Sequence, residues 1–130
     1  MDQTESKGIT PLIDLADLTF DNSFVRTLPA DPVLTHVPRA VRNACYTRVS
    51  PTPVKSPQLL AWSDAVGETL GVRAPDSSTG AVAEVLAGNR VLPGMQPYAA
   101  RYGGHQFGSW AGQLGDGRAI TLAEVLTPAG

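Results

Sequence analysis

Six of the thirteen glycines of this chain fall between Gly103 and Gly117. Glycine alone tolerates positive φ and close backbone approach at little cost, so this run constrains the fold more than any other stretch. It reads Tyr102-Gly103-Gly104-His105-Gln106-Phe107-Gly108-Ser109-Trp110-Ala111-Gly112-Gln113-Leu114-Gly115-Asp116-Gly117-Arg118 and passes directly into Ala119–Val125. That following segment has strand-like composition and partial two-residue alternation. The pattern predicts a strand, a glycine turn at Gly115-Asp116-Gly117 and a second strand. Such a turn can gather backbone N–H groups into one concavity, and such concavities bind anions, phosphates above all. Arg118 adds a guanidinium fork suited to phosphate oxygens. An ordinary hairpin is the alternative, because Asp-Gly signals a tight turn without any ligand. The order Gly112-x-x-Gly115-x-Gly117 reverses the usual dinucleotide pattern and no helix signal follows it, which argues against a Rossmann or Walker loop.

At 130 residues, 42% of them hydrophobic, the chain is large enough for one domain that buries roughly two-thirds of its unfolded surface. A net charge of −2 with only two lysines, Lys7 and Lys55, offers no basic stripe, so neither nucleic acid nor an anionic membrane is an expected partner. No apolar run approaches the length of a membrane span, and the polar start Met1-Asp2-Gln3-Thr4-Glu5 lacks signal or transit character. A cytoplasmic location is the expectation. The single cysteine, Cys45, sits in the strand-like run Ala44–Val49, where a free thiol behaves as a small buried hydrophobe rather than a reactive group. His36 and His105 are too isolated to build a metal site. His105, within the glycine run, is read as an anchor of loop geometry, since nothing nucleophilic accompanies it in sequence.

Residues 1–17 read as a tail that is disordered or docked, and residues 18–130 as the folded part. Two aromatics flank Asp21-Asn22-Ser23, which suggests a turn pinned by apolar contacts. Six of the eleven prolines lie between Pro29 and Pro57, so that stretch is extended and wraps, interrupted by the strand near Cys45. Ser56 followed by Pro57 predicts a helix start, with Leu59, Trp62, Val66 and Leu70 as its inward stripe and Gly71 as its end. A shorter helix is expected from Gly80 to Ala87, with Val82, Val85 and Leu86 inward. Leu92–Pro97 makes a rigid turn into the glycine run.

Several of these segments together resemble the N-terminal part of the selenoprotein O family. The resemblance is carried by Leu92-Pro93-Gly94-Met95, the run from Tyr102 to Arg118, and Leu122-Ala123-Glu124-Val125. It is carried further by Phe20-Asp21-Asn22, Arg26-Thr27-Leu28-Pro29 and Cys45-Tyr46-Thr47-Arg48-Val49-Ser50-Pro51-Thr52-Pro53. The resemblance implies a protein-kinase-like fold that binds ATP in an inverted orientation and transfers AMP to Ser, Thr or Tyr hydroxyls of proteins. The fold class expected is α+β: the first part of a kinase-like N-lobe, in which helices and an extended wrapping segment lead to a strand, glycine loop and strand. By the same resemblance Gly115, Gly117 and Arg118 contact the nucleotide phosphates.

The departure from that family matters equally. Its phosphate-binding lysine, catalytic aspartate and magnesium ligands have no equivalents here: no lysine follows Lys55, and after Arg101 the only carboxylates are Asp116 and Glu124. Magnesium-assisted transfer from ATP needs metal-holding groups and a group that orients the attacking hydroxyl. The expectation is an N-terminal fragment that supplies the glycine loop, carries neither catalytic nor metal-binding residues and is inactive alone. A non-catalytic interaction module that keeps the same framework is the alternative.

Overall fold

The computed structural model describes residues 11–35, 37–76, 78–117 and 119–130. Its class is α+β: helices α1 (Ser23–Thr27), α2 (Asp64–Leu70) and α3 (Ala81–Leu86) accompany strands β1 (Tyr46–Arg48), β2 (Tyr98–Gln106) and β3 (Ser109–Asp116). The strands form one antiparallel sheet in the order β1-β2-β3.

Aromatic residues close the core where β1 and β2 meet α1. Tyr46 is 1% exposed, and its hydroxyl donates to the Val25 carbonyl at 2.7 Å, which satisfies the one polar atom that its burial strands. Phe24 stacks on Tyr98 with ring centroids 4.8 Å apart, and Tyr46 meets Tyr98 edge-on at 5.5 Å. Such pairs contribute about 1 kcal/mol each beyond their buried area.

Asn22 ties two distant segments to this core. It adopts the left-handed conformation, φ 52°, just before α1, a region Asn tolerates better than most residues. Its amide nitrogen donates to the Gly94 carbonyl at 2.7 Å, and its amide oxygen accepts from the Glu124 N–H at 3.2 Å. The Glu124 carboxylate in turn accepts from the Phe24 N–H at 2.7 Å and the Ser23 hydroxyl at 3.3 Å. A carboxylate from the far end of the chain thus serves one of the N–H groups that the start of α1 leaves without helical partners.

The proline-rich stretch wraps, as its composition predicts. Ala30 bridges Tyr46 in parallel, Asp31 donates its N–H to the Tyr46 carbonyl, and Cys45 donates its own to Pro29. This covers the edge of β1 that would otherwise be open to pairing with another chain. The Leu92–Pro97 turn is also as expected: Met95 N–H returns to the Leu92 carbonyl at 3.1 Å, with Pro93 and Gly94 as its central residues.

Three expectations are corrected. The helix expected from Ser56 begins only at Asp64, because Ser56 has φ 50° and turns the chain away, while the Ser63 hydroxyl accepts from Val66 N–H as the true cap. Gly71 closes this helix as expected, but Val66 points outward and Gly67 inward, close enough to Val72 that a Cβ would stand 2.8 Å from its carbonyl oxygen. In α3, Ala83 and Val85 are buried and Leu86 is exposed, since the helix spans only Ala81–Leu86 and turns that side chain to solvent.

The third correction concerns the hairpin. Its turn is Phe107-Gly108, with φ 50° and 80°, and both of its strands precede Gly117. Positive φ at both central residues suits the twist of a two-residue hairpin. Ala119–Val125 is not a strand. Because β3 already occupies β2 from Arg101 outward, the departing chain reaches only Tyr98, through Thr121, and then bends so that Val125 meets Phe20.

Replacing Asn22 by Gly keeps the left-handed backbone accessible and removes both amide bonds. It lowers the unfolding free energy by about 2 kcal/mol or more in urea denaturation, because the Gly94 carbonyl and the Glu124 N–H lose their partner. A loss below about 0.5 kcal/mol would show that Asn22 does not join these segments energetically.

Candidate functional site

The glycines of β3 are explained by its register. From Tyr102↔Gly115 to Gly103↔Gln113, and again from Gly103↔Gln113 to His105↔Trp110, β3 uses one residue more than β2. Gly115 (φ 92°) and Gly112 (φ 75°) stand at these two irregularities. Each inserts an extra residue that bends the strand and increases its twist, and a glycine at positive φ is the residue such a bulge prefers. Gly115-Asp116-Gly117 is therefore the exit of a twice-bulged strand, not a hairpin turn.

At that exit the backbone is anchored. Gly117 donates its N–H to the Ala100 carbonyl at 2.9 Å, so this amide is not free for a phosphate. A Cβ at Gly117 would lie 3.5 Å from the Ala100 oxygen, an ordinary contact, so the packing there does not itself require glycine. At Gly115 a Cβ would meet nothing within 4 Å, leaving open space above the bulge. Arg118, the third residue expected to contact phosphate, lies outside the described residues, as does His36.

Beside this exit the structure gathers charges that local sequence patterns do not reveal. Asp116 accepts from the Thr47 hydroxyl at 3.2 Å and lies 3.7 Å from an Arg101 guanidinium nitrogen. The same nitrogen is 3.7 Å from Asp31 and 3.3 Å from the Thr47 hydroxyl. Asp31 is almost fully buried and also pairs with Arg39. The hydrogen bond from Arg39, then the Val33 N–H, hold the Asp31 carboxyl below the usual carboxylate range against the opposing effect of burial. A cavity of about 310 Å³ opens among Asp31, Arg39, Thr47, Arg101, Gly115 and Asp116. Pairing of Tyr46 with Ala100 and Thr47 with Ala99 brings Thr47 and Arg101 together across 54 positions. Only the strand-like run around Cys45 hinted at this in the sequence.

The remaining candidates stand apart. His105 lies on β2, exposed, with its ring edge-on to Trp110 at 5.1 Å. Cys45 is half-buried immediately before β1. Among the described residues no three His, Cys, Asp or Glu side chains cluster to hold a metal, and no helix is long and apolar enough to cross a membrane. A second cavity of about 290 Å³, among Trp62, Val72, Arg73, Val85 and Leu92, touches none of the glycine segment.

Comparison with known proteins matches residues 33–130 to the family model described as Protein adenylyltransferase SelO. The chain is 68% identical over 123 residues to the Protein nucleotidyltransferase YdiU of Nitrosospira multiformis, covering 95% of this chain and 22% of that protein. It is 59% identical over 113 residues to the protein of the same name from Azoarcus sp., covering 87% and 22%. For the counterpart from Aromatoleum aromaticum the identity is 55% over 116 residues, covering 89% and 22%. The chain thus spans about a fifth of the length of these relatives.

The Asp31 carboxyl titrates below its ordinary value of about 3.9. A lowered folded pKa contributes stability that is fully present above the unfolded value and is lost as pH falls through the folded one. Asp31→Asn is accordingly less stable than the unaltered chain at pH 7, and the gap closes as pH drops below about 4. Thermal unfolding between pH 7 and pH 3 checks this; a gap that stays constant over that range would exclude an ionised Asp31 as its source.

Proposed function

The chain belongs to the SelO family of protein adenylyltransferases, and from that premise we propose that it forms the phosphate-holding part of a nucleotidyltransferase that moves AMP from ATP to Ser, Thr or Tyr hydroxyls of proteins. The observation that supports this most is the placement of Gly115-Asp116-Gly117: a bulged strand exit, fixed to β2 by the Gly117–Ala100 hydrogen bond and bordering an open cavity. In this reading Gly115 and Gly117 contribute close approach for the phosphates, and Arg118 contributes the guanidinium. The fit differs from a simple concavity of glycine amides, because the Gly117 N–H is held by Ala100.

The chain's own residues bind and orient; they do not carry the transfer. Of the two carboxylates after Arg101, Glu124 is committed to the start of α1 and Asp116 to Thr47 and Arg101. In this reading neither serves as the general base. Magnesium, implied by the family chemistry, finds no ligand set among the described residues, and no step of this proposal runs through it.

Calorimetric titration with ATP and magnesium tests the reading. The unaltered chain binds, Arg118→Ala weakens binding about tenfold or more, about 1.4 kcal/mol, and no AMP label passes to added protein. An absence of ATP binding, or binding indifferent to Arg118→Ala, would overturn it.

A further inference from the structure

A carboxylate stands between the two glycines proposed to approach a polyanion, and that arrangement needs a compensating charge. We infer that Arg101 is the positioning residue that supplies it, neutralising Asp116 and fixing its side chain away from incoming phosphates; this rests on the nucleotide reading above.

Three observations carry the inference. Arg101 and Asp116 are directly opposed on β2 and β3, and the Gly117–Ala100 hydrogen bond marks them as a non-hydrogen-bonded pair, the kind whose side chains come closest on one face. The Arg101 side chain is only 11% exposed, so its charge is poorly screened by solvent, and its Nε has no partner among the described residues. The charges around the cavity alternate as Arg39, Asp31, Arg101 and Asp116. Among the described residues, removal of Arg101 leaves Asp31 paired with Arg39, whereas Asp116 keeps only the neutral Thr47 hydroxyl. The uncompensated charge would then sit at the phosphate approach.

Binding of ATP with magnesium to the 130-residue chain, measured by calorimetry for a set of variants, tests this. Arg101→Gln weakens binding about tenfold, Arg101→Lys retains most of it, and Asp116→Asn alone binds at least as tightly as the unaltered chain. The double variant Arg101→Gln with Asp116→Asn returns to within about threefold of the unaltered chain. A purely structural role for Arg101 would leave the double variant as weak as Arg101→Gln, and that result overturns the inference while the nucleotide reading stands. If Arg101→Gln does not fold, Asp116→Asn decides alone: weaker binding than the unaltered chain refutes neutralisation. If the unaltered chain takes up no ATP, the nucleotide reading fails and the inference falls with it.

Discussion

The side-chain amide of Asn22 is the constraint on which the rest of the arrangement depends. Its nitrogen holds Gly94, in the turn that delivers the chain into β2, and its oxygen holds Glu124, in the segment that leaves β3. One buried side chain therefore fixes both the entrance and the exit of the hairpin. Phe24, two residues on, stacks against Tyr98, the first residue of β2, and Thr121 bonds Tyr98 in both directions. An amide buried to 6% exposure with both ends satisfied stabilises modestly, but leaving either end unpaired would be costly. That asymmetry makes the contact specifying: alternative packings of the three segments would strand a carbonyl or an N–H.

Order along the hairpin runs from its base to its tip. Tyr98 and Ala99 are buried, whereas Tyr102 and Trp110 are about half exposed and Phe107 is fully exposed. Few apolar contacts hold the outer half, and regions of that kind open at lower free energy than the core. The Gly115–Gly117 segment lies opposite Arg101 and Ala100, toward the base. Its backbone is consequently held by the better-packed half of the sheet while its open side faces the cavity. The phosphate-holding role proposed for it would benefit from that placement, since groups already fixed lose less freedom when a ligand arrives.

Local chemistry made part of this legible in advance. The strand at Tyr46–Arg48, the turn at Pro93-Gly94, the left-handed cap at Gly71 and a short helix after Gly80 all follow from signals a few residues long. The hairpin turn did not, because glycine has two uses that composition cannot separate. Gly112 and Gly115 serve bulges, whereas the turn itself places Phe107, a poor residue for positive φ, beside Gly108. Asp116-Gly117 carried the stronger turn signal and misdirected the reading. Of the site, Gly115 and Gly117 were visible as glycines, but Asp31, Arg39, Thr47 and Arg101 were not. They meet only because β1 pairs with β2 and the proline-rich segment folds back along β1.

The motifs that carry the family resemblance divide into two physical kinds. Asn22, Gly94 and Glu124 belong to three separate motifs and converge in one hydrogen-bonded knot, and Tyr46, from a fourth, is the most buried aromatic residue described. Those motifs are accounted for by packing and hydrogen bonding alone, with no ligand required. The Gly115–Gly117 exit is different. Its bulge explains a glycine at Gly115, but among the described residues nothing in the packing requires an acid at Asp116, an exposed position whose partners there are a 3.7 Å contact to Arg101 and the Thr47 hydroxyl. In the proposed reading an acid, a largely buried arginine and the side-chain-free Gly115 line one cavity, an arrangement suited to binding. The proposed phosphate contact is therefore tested at Gly115, Gly117 and Arg118 rather than in the motifs that packing explains.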